Sequence, residues 1–275
     1  MIAFVTALAS EARPLIEHYR MEPLEGAFRL FGSKDYRLVI SGIGKVAAAA
    51  ATGYLHARSG EAPCGVWLNV GIAGHRSRAP GELFRAHTVL DDATKSCYYP
   101  TLLGFKEIES AAVTTVDTVE LEFSADTLYD MEASAFYATA LRFSTSELVQ
   151  CLKVVSDNRA PETKDADAGG RLSKEDVTKL VATHLPIIDR FAAHLRALAA
   201  ELEPLQRAPE SLERFQNRWR FTTSEKRQLA RLLIRCLTLG DRPHPEDYGD
   251  VPKASTVLRE LDGRARSLAL EVHGF

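Results

Sequence analysis

Met1-Ile2-Ala3-Phe4-Val5-Thr6-Ala7-Leu8 runs directly into Ala9-Ser10-Glu11-Ala12. The stretch from Ile2 to Leu8 has no polar alternation, as in a strand covered on both faces by helices. It is too short to span a bilayer and carries no basic flank of the kind that precedes a secretory leader. Working outward, similar apolar runs recur at Tyr36 to Ser41, Gly65 to Gly71, Leu83 to Leu90, Ala111 to Val116 and Cys151 to Ser156. Helical patterns fall between and after them, at Ser10 to Tyr19, Lys45 to Arg58, Met131 to Arg142 and Ser173 to Leu202. Ser173 is the expected N-cap of the last, and Pro186 should kink or divide it. The alternation predicts a three-layer α/β/α fold with a central mixed sheet over residues 1–203.

Residues 204–275 form a separate expectation, a small helical C-terminal extension to which the sequence gives no role. A break is expected from Glu203-Pro204 to Pro209. Thr222 and Glu225 then make a capping-box signal, ahead of a leucine stripe at Leu229, Leu232, Leu233 and Leu237 that stops before Gly240. The extension holds 13 Lys/Arg and 10 Asp/Glu, so it is about +3 within a chain whose net charge is -3. Phe215, Trp219 and Phe221 alternate there with Arg214, Arg218 and Arg220, ahead of Arg227, Arg231 and Arg235. Aromatics interleaved with basic residues are one way to bind nucleic acid. A solvated arginine face on a helix docked by its leucines accounts for the same pattern, and nucleic acid is not expected as a partner.

At 275 residues, 45% hydrophobic and 26% charged, the chain can bury a large core. Cys64, Cys97, Cys151 and Cys236 form no C-x-x-C pair, which predicts reduced thiols in a cytoplasmic protein rather than disulfides or a zinc site. Neither a metal nor an organic cofactor is expected, and no membrane contact.

Ser41-Gly42-Ile43-Gly44-Lys45-Val46-Ala47 follows a strand and opens a helix. It fits the G-x-G-x-x-A pattern whose helix N-terminus holds an anion, and it equally fits a plain strand-to-helix turn. A dinucleotide reading through Gly42 and Gly44 lacks an acid about 20 residues on to bind a ribose. More informative is the order of several short elements: Ala9-Ser10-Glu11, Ser41-Gly42-Ile43-Gly44-Lys45, Asn69-Val70-Gly71-Ile72-Ala73-Gly74, Asp130-Met131-Glu132 and Val155-Ser156-Asp157-Asn158. Polarity then rises from Ser156 to Arg171, where Pro161, Gly169 and Gly170 mark a loop after a strand, the usual place for ligand contacts in α/β proteins.

This series resembles the nucleoside phosphorylase/nucleosidase superfamily, closest to the 5'-methylthioadenosine/S-adenosylhomocysteine nucleosidases, over about residues 1 to 200. The resemblance implies hydrolysis of the N-glycosidic bond of a purine nucleoside, with a 5'-modified adenosine as the expected substrate. It implies Asp157 as the acid that protonates the leaving base, with Ser156 orienting it. Glu11 becomes the base that activates water, Glu132 the carboxylate that binds the ribose hydroxyls, and Met131 the side chain packed on the sugar. Ile43, Ala73, Gly74 and Val119 become lining residues. It also implies a homodimer. Each acid has a plainer reading as well, Glu11 and Glu132 as first-turn helix acids and Asp157 as a loop or cap acid.

The chemistry needs these residue types. Glycoside cleavage divides the work between one carboxyl that gives a proton to the leaving group and one that assists the nucleophile. Burial or a neighbouring carboxylate can raise the pKa of the acid enough to keep it protonated.

The sequence departs from the family in three places. Ile72 stands where a small hydroxyl residue is usual, which removes an anion contact and favours water over phosphate. His75 stands where glycine is usual, as a ligand contact or a rim residue. Val119 takes the place of the aromatic that stacks on the purine, with Glu120 after it, and Tyr98 and Tyr99 are candidate substitutes or plain loop residues. A phosphate-dependent phosphorylase and a non-catalytic nucleoside-binding protein with a drifted site stand as alternatives.

Overall fold

The structure, a computed structural model, describes residues 1–59, 65–158, 172–206 and 210–273. It divides into two compact units, Met1–Glu201 and Leu202–Phe275. Cys64, the Arg159 to Arg171 part of the expected loop and residues 207–209 lie outside the described residues.

In the first unit a ten-stranded mixed sheet runs in the order β10-β6-β8-β9-β5-β1-β4-β3-β2. The strands are β1 (Ile2–Thr6), β2 (Glu22–Leu24), β3 (Arg29–Gly32), β4 (Tyr36–Ile40), β5 (Val66–His75), β6 (Leu83–Asp91), β7 (Cys97–Tyr98), β8 (Glu109–Thr115), β9 (Leu128–Asp130) and β10 (Val149–Asn158). β7 pairs with β6 off the main path, and β10 also pairs with β5. The five strands β5, β10, β6, β8 and β9 therefore close on one another, and the others extend from β5 as an open sheet.

β1 pairs in parallel with β4 and β5, setting Thr6 opposite Ile40 and Val5 opposite Asn69. β5 pairs in parallel with β10. The C-terminal ends of β1, β4, β5 and β10 thus lie on the same side of the sheet, which is where open α/β sheets hold ligands.

The helices of this unit are α1 (Ala9–His18), α2 (Lys45–Ser59), α3 (Ala133–Ala140), α4 (Lys174–Thr183) and the start of α5 (Leu185–Gln206). β1 shows why helices must cover both faces. Ala3 and Val5 join the core that includes Ala51 and Leu55 of α2 and Phe136 and Tyr137 of α3. Phe4, pointing the opposite way, stacks on Tyr19 just past α1 at 5.3 Å. Every residue of β1 is buried, hence the unbroken apolar run.

α1 contains Pro14, which has no N–H for the carbonyl of Ser10 four residues earlier. The Thr178 hydroxyl of α4 donates to that carbonyl at 3.1 Å, so a tertiary contact replaces the missing helical bond.

Several boundaries differ from the sequence expectation. The hairpin of β2 and β3 was not expected, because β2 is three residues long, exposed and contains Pro23. β5 runs on through Gly71 and Gly74 to His75, its strand register held by β10 on one side and β9 on the other. α3 begins at Ala133 rather than Met131, because β9 occupies Leu128–Asp130 and Glu132 takes the N-cap position. The long helix divides at His184, leaving Pro186 as the second residue of α5, where its missing N–H has no helical partner to lose. The break expected at Glu203-Pro204 is replaced by helix through Gln206.

The second unit contains α6 (Ser211–Arg218), α7 (Thr223–Thr238), a short 3-10 turn (Pro245–Tyr248) and α8 (Ala254–His273). Thr222 and Glu225 form the expected capping box, the Thr222 N–H donating to Glu225 Oε2 at 2.8 Å. Leu229, Leu232 and Leu233 are buried, and so are Phe215, Trp219 and Phe221, together with Val257 and Leu261 of α8. The aromatics are core residues, with the Phe215 and Trp219 rings stacked at 5.8 Å. Arg227 and Arg231 lie on the exposed face of α7, as a helix docked by its leucines requires. Among the described residues no helix is long and apolar enough to cross a membrane.

Candidate active site

Nine sequence-predicted residues, Glu11, Ile43, Ala73, Gly74, Val119, Met131, Glu132, Ser156 and Asp157, all line one cavity of about 200 Å³. They come from six places in the chain, each just beyond or at the end of a strand.

Glu11 is the third residue of α1 and reaches back across the start of its own helix. Its Oε2 accepts from the N–H groups of Ala7 at 2.9 Å and Leu8 at 2.8 Å. Its Oε1 accepts from Ile72 N–H at 3.0 Å. The plainer reading as a helix acid is therefore also satisfied, and the same carboxylate borders the cavity. Burial pushes the Glu11 carboxyl up, against the opposing pull of those N–H groups and of Lys153. Gly71 makes the close approach possible, because a Cβ there would lie 2.9 Å from Glu11 Oε1 and 3.5 Å from Lys153 Nζ.

Lys153, on β10, was not singled out in the sequence. It is 1% exposed, and its ammonium lies 2.7 Å from Asp130 Oδ2. Burial alone would lower its pKa, but Asp130 and Glu132 outweigh that and raise it. Asp130 is further held by the Thr115 hydroxyl at 2.7 Å and the Ala133 N–H at 2.8 Å. The available signal was a lysine inside an otherwise apolar strand, which needs a carboxylate partner if both faces of the strand are covered.

Glu132 accepts the Gly44 N–H on Oε1 at 2.7 Å. The turn at Ser41 to Lys45 therefore does hold an anion, and the anion is internal. Gly42 and Gly44 have φ of 85° and 101°, the left-handed region that the turn requires. Burial pushes Glu132 up to about 7, with Asp130 and Glu11 adding to the shift and Lys153 and Gly44 opposing it.

Ser156 and Asp157 sit at a bulge in β10, where the register with β5 slips between Val155 and Asp157 and brings Asp157 opposite Gly74. A bulge re-aims side chains locally. The Ser156 hydroxyl donates to Asp157 Oδ1 in a very short contact. Gly74 has no side chain because its space is taken: a Cβ there would lie 2.4 Å from the Phe123 ring and 3.3 Å from Asp157 Oδ2.

Phe123 is thus the aromatic against the Asp157 side of the cavity, and Tyr129 lines the cavity with its ring 5.8 Å from Phe123. Neither was singled out in the sequence. Val119 lines the mouth but is 67% exposed, while Tyr98 packs on Tyr137 and Tyr99 faces solvent. The available signal was that Phe123 is the only aromatic between Val116 and Leu128. His75 is not a lining residue. Its Nδ1 accepts from the N–H groups of Ser77 and Arg78, both at 3.1 Å, and Nε2 faces Asp126, so the ring pins the turn after β5.

Among the described residues no group of three His, Cys, Asp or Glu is arranged to hold a metal ion. The cavity lining offers instead five carboxylates, Glu11, Glu120, Asp130, Glu132 and Asp157, and no Lys, Arg or His among the described residues.

No family model matches the chain, and no curated protein matches it by sequence. Solved structures do match. The 5'-methylthioadenosine/S-adenosylhomocysteine nucleosidase of S. pneumoniae, solved with a transition-state inhibitor, is 17% identical with a TM-score of 0.52, covering 72% of this chain and 99% of that one. The apo 5'-methylthioadenosine nucleosidase of Arabidopsis thaliana is 18% identical with a TM-score of 0.52, covering 72% and 95%. Futalosine hydrolase of Helicobacter pylori is 16% identical with a TM-score of 0.51, covering 70% and 97%. The chain therefore has the fold of these two nucleosidases and of futalosine hydrolase.

Proposed function

We propose that this protein hydrolyses the N-glycosidic bond of a purine nucleoside, with a 5'-modified adenosine as the substrate. The observation that carries the reading is the meeting of Glu11, Glu132 and Asp157, far apart in sequence, around one cavity. The solved structures with this fold that are named above are a nucleosidase from S. pneumoniae, one from Arabidopsis thaliana, and a futalosine hydrolase.

In this reaction Asp157, steadied by Ser156, gives its proton to N7 of the base as the C–N bond breaks. Phe123 covers the base beside it. A water held at Glu11 Oε1 attacks the anomeric carbon and passes a proton to that carboxylate. Among the described residues Oε1 has one donor, the Ile72 N–H, which leaves a lone pair for the water. Glu132 accepts from the ribose hydroxyls, and Met131 packs on the sugar. As the ring gains oxocarbenium character, the nearby carboxylates favour the transition state over the neutral substrate.

Water is favoured over phosphate as the nucleophile. The Ile72 N–H, a backbone donor that an anion would use, is already taken by Glu11. We further propose a homodimer. The support is exposed apolar side chains: Ile43 and Val119 line the cavity, and Val46 and Leu121 are exposed near them in sequence.

The test is a panel of nucleosides incubated with the purified protein, with and without phosphate, with release of free base measured. Release without phosphate supports hydrolysis. Strict phosphate dependence assigns a phosphorylase, and tight binding without release assigns a nucleoside-binding protein.

A further inference from the structure

The segment from Val116 to Thr127 has no regular secondary structure, yet it supplies Val116, Val119, Glu120 and Phe123 to the cavity. Its middle is organised by Glu120, whose Oε1 accepts from the N–H groups of Glu122 at 2.6 Å and Phe123 at 3.2 Å. At its near end the Val116 N–H donates to the Asp130 carbonyl at 2.8 Å, and Asp117 meets a side chain from elsewhere. Lys45 Nζ lies 2.7 Å from Asp117 Oδ1 and 3.1 Å from Asp91 Oδ2.

Lys45 is itself a fixed point. It is the first residue of α2, directly after the Gly44 whose N–H binds Glu132. Asp91 accepts from the Thr94 N–H at 2.9 Å and the Ser134 hydroxyl at 2.8 Å. Burial alone would raise the Asp91 carboxyl, but the bonds from Thr94, Ser134 and Lys45 outweigh it and hold it at about 2, so it remains an anion. Ser134 N–H donates to Thr115 Oγ1 at 2.9 Å, and Thr115 donates to Asp130, the partner of Lys153. Lys45 therefore joins a buried, hydrogen-bonded frame to the start of a segment whose other end is fixed by the Ala125 N–H on the Tyr129 hydroxyl at 3.0 Å, by the Thr114–Thr127 hydroxyl pair at 3.0 Å and by Asp126 beside His75. Asp117 is 62% exposed at the side chain, so this last link is open to solvent and salt while the frame is not.

We propose that the Lys45–Asp117 ion pair is a latch that holds residues 116–123 in place as the wall of the cavity, making both positioning residues for substrate binding. The kinetic part of this inference rests on the hydrolase reading; the ordering of the segment does not. Lys45 touches no reacting atom, and its effect falls on how well Phe123 and Val119 are presented.

The test uses Asp117→Asn in the full-length protein, which breaks the latch and leaves Lys45 paired with Asp91. From the size of exposed ion pairs, KM should rise about fivefold while kcat stays within about twofold. Asp117→Glu should restore KM. Salt at about 0.5 M should raise the wild-type KM toward that of Asp117→Asn and leave the variant unchanged. Amide hydrogen exchange across residues 118–123 should be faster in Asp117→Asn, whether or not a substrate is known. Unchanged exchange in that segment overturns the latch, as does a loss that falls on kcat alone. If the wild-type protein cleaves no nucleoside, the hydrolase reading fails and the exchange measurement decides the latch by itself.

Discussion

Lys153 and Asp130 face each other across 2.7 Å with side-chain exposures of 1% and 0%. Such a pair is held by mutual compensation, because either charge alone in that position would be severely desolvated. Glu11 and Glu132 both feel the same ammonium. The cation thus lies behind a cavity lining whose charged side chains, among the described residues, are all acidic.

Lys153→Met keeps most of the volume and removes the charge. It should destabilise the protein by about 3–5 kcal/mol, as expected when one partner of a buried pair is lost. Urea unfolding of the variant and wild type checks this. A change below about 1 kcal/mol would show that Asp130 does not depend on the lysine, since that is the scale of an exposed pair.

The raised pKa of Glu132 has a sign that can be measured. Its folded value of about 7 lies above its ordinary value of 4.5, so the folded protein binds more protons between the two. The associated stability is fully present below pH 4.5 and is lost as pH rises through 7. Glu132→Gln cannot ionise, so its stability relative to wild type should increase steadily from about pH 5 to about pH 8. Unfolding midpoints for both proteins across that range test it, since titrations of groups remote from Glu132 cancel. A flat difference contradicts the assigned shift.

Gly71→Ala places a methyl group 2.9 Å from Glu11 Oε1 in a fully packed strand. Glu11 has to move, breaking its bond with the Ile72 N–H. The expected result is a folded protein, destabilised by about 1–3 kcal/mol, with nucleoside hydrolysis reduced at least about tenfold. Circular dichroism and a free-base release assay separate the two effects. Full activity would mean that Glu11 need not sit where it does.

Asp157→Asn and Glu11→Gln should lose hydrolysis for different reasons. Removing a positioned proton donor lowers the rate by about 10²–10⁴-fold, so Asp157→Asn should fall in kcat with its fold intact. Glu11→Gln should lose turnover and still bind adenine, because Glu11 serves the nucleophile side. Single-turnover kinetics and calorimetry with adenine read the two. Wild-type kcat in either variant removes that residue from its assigned role.

Much of this site can be read in the sequence because its parts end strands. Glu11, Ser41 to Lys45 and Ser156-Asp157 each follow an apolar run, the two positive-φ glycines mark the turn, and Asp130 to Glu132 came only from the resemblance to the nucleosidases. What escaped the sequence depends on tertiary register. β9 is three residues long and gives no period, so the start of α3 was set two residues early. Phe123 reaches the cavity only because the segment carrying it folds over Gly74, a long-range contact that no local pattern encodes. Lys153 is conspicuous only once its strand is known to be covered on both sides.

The hairpin of β2 and β3 has a consequence for how the molecule meets others. Within the described residues the strand order terminates on β2, whose middle residue is Pro23. Proline has no N–H to offer a further strand, and three residues give little length for recruitment. Backbone-templated growth from this border is thereby blocked, and self-association there is left to side chains, a mode that is selective and readily reversed.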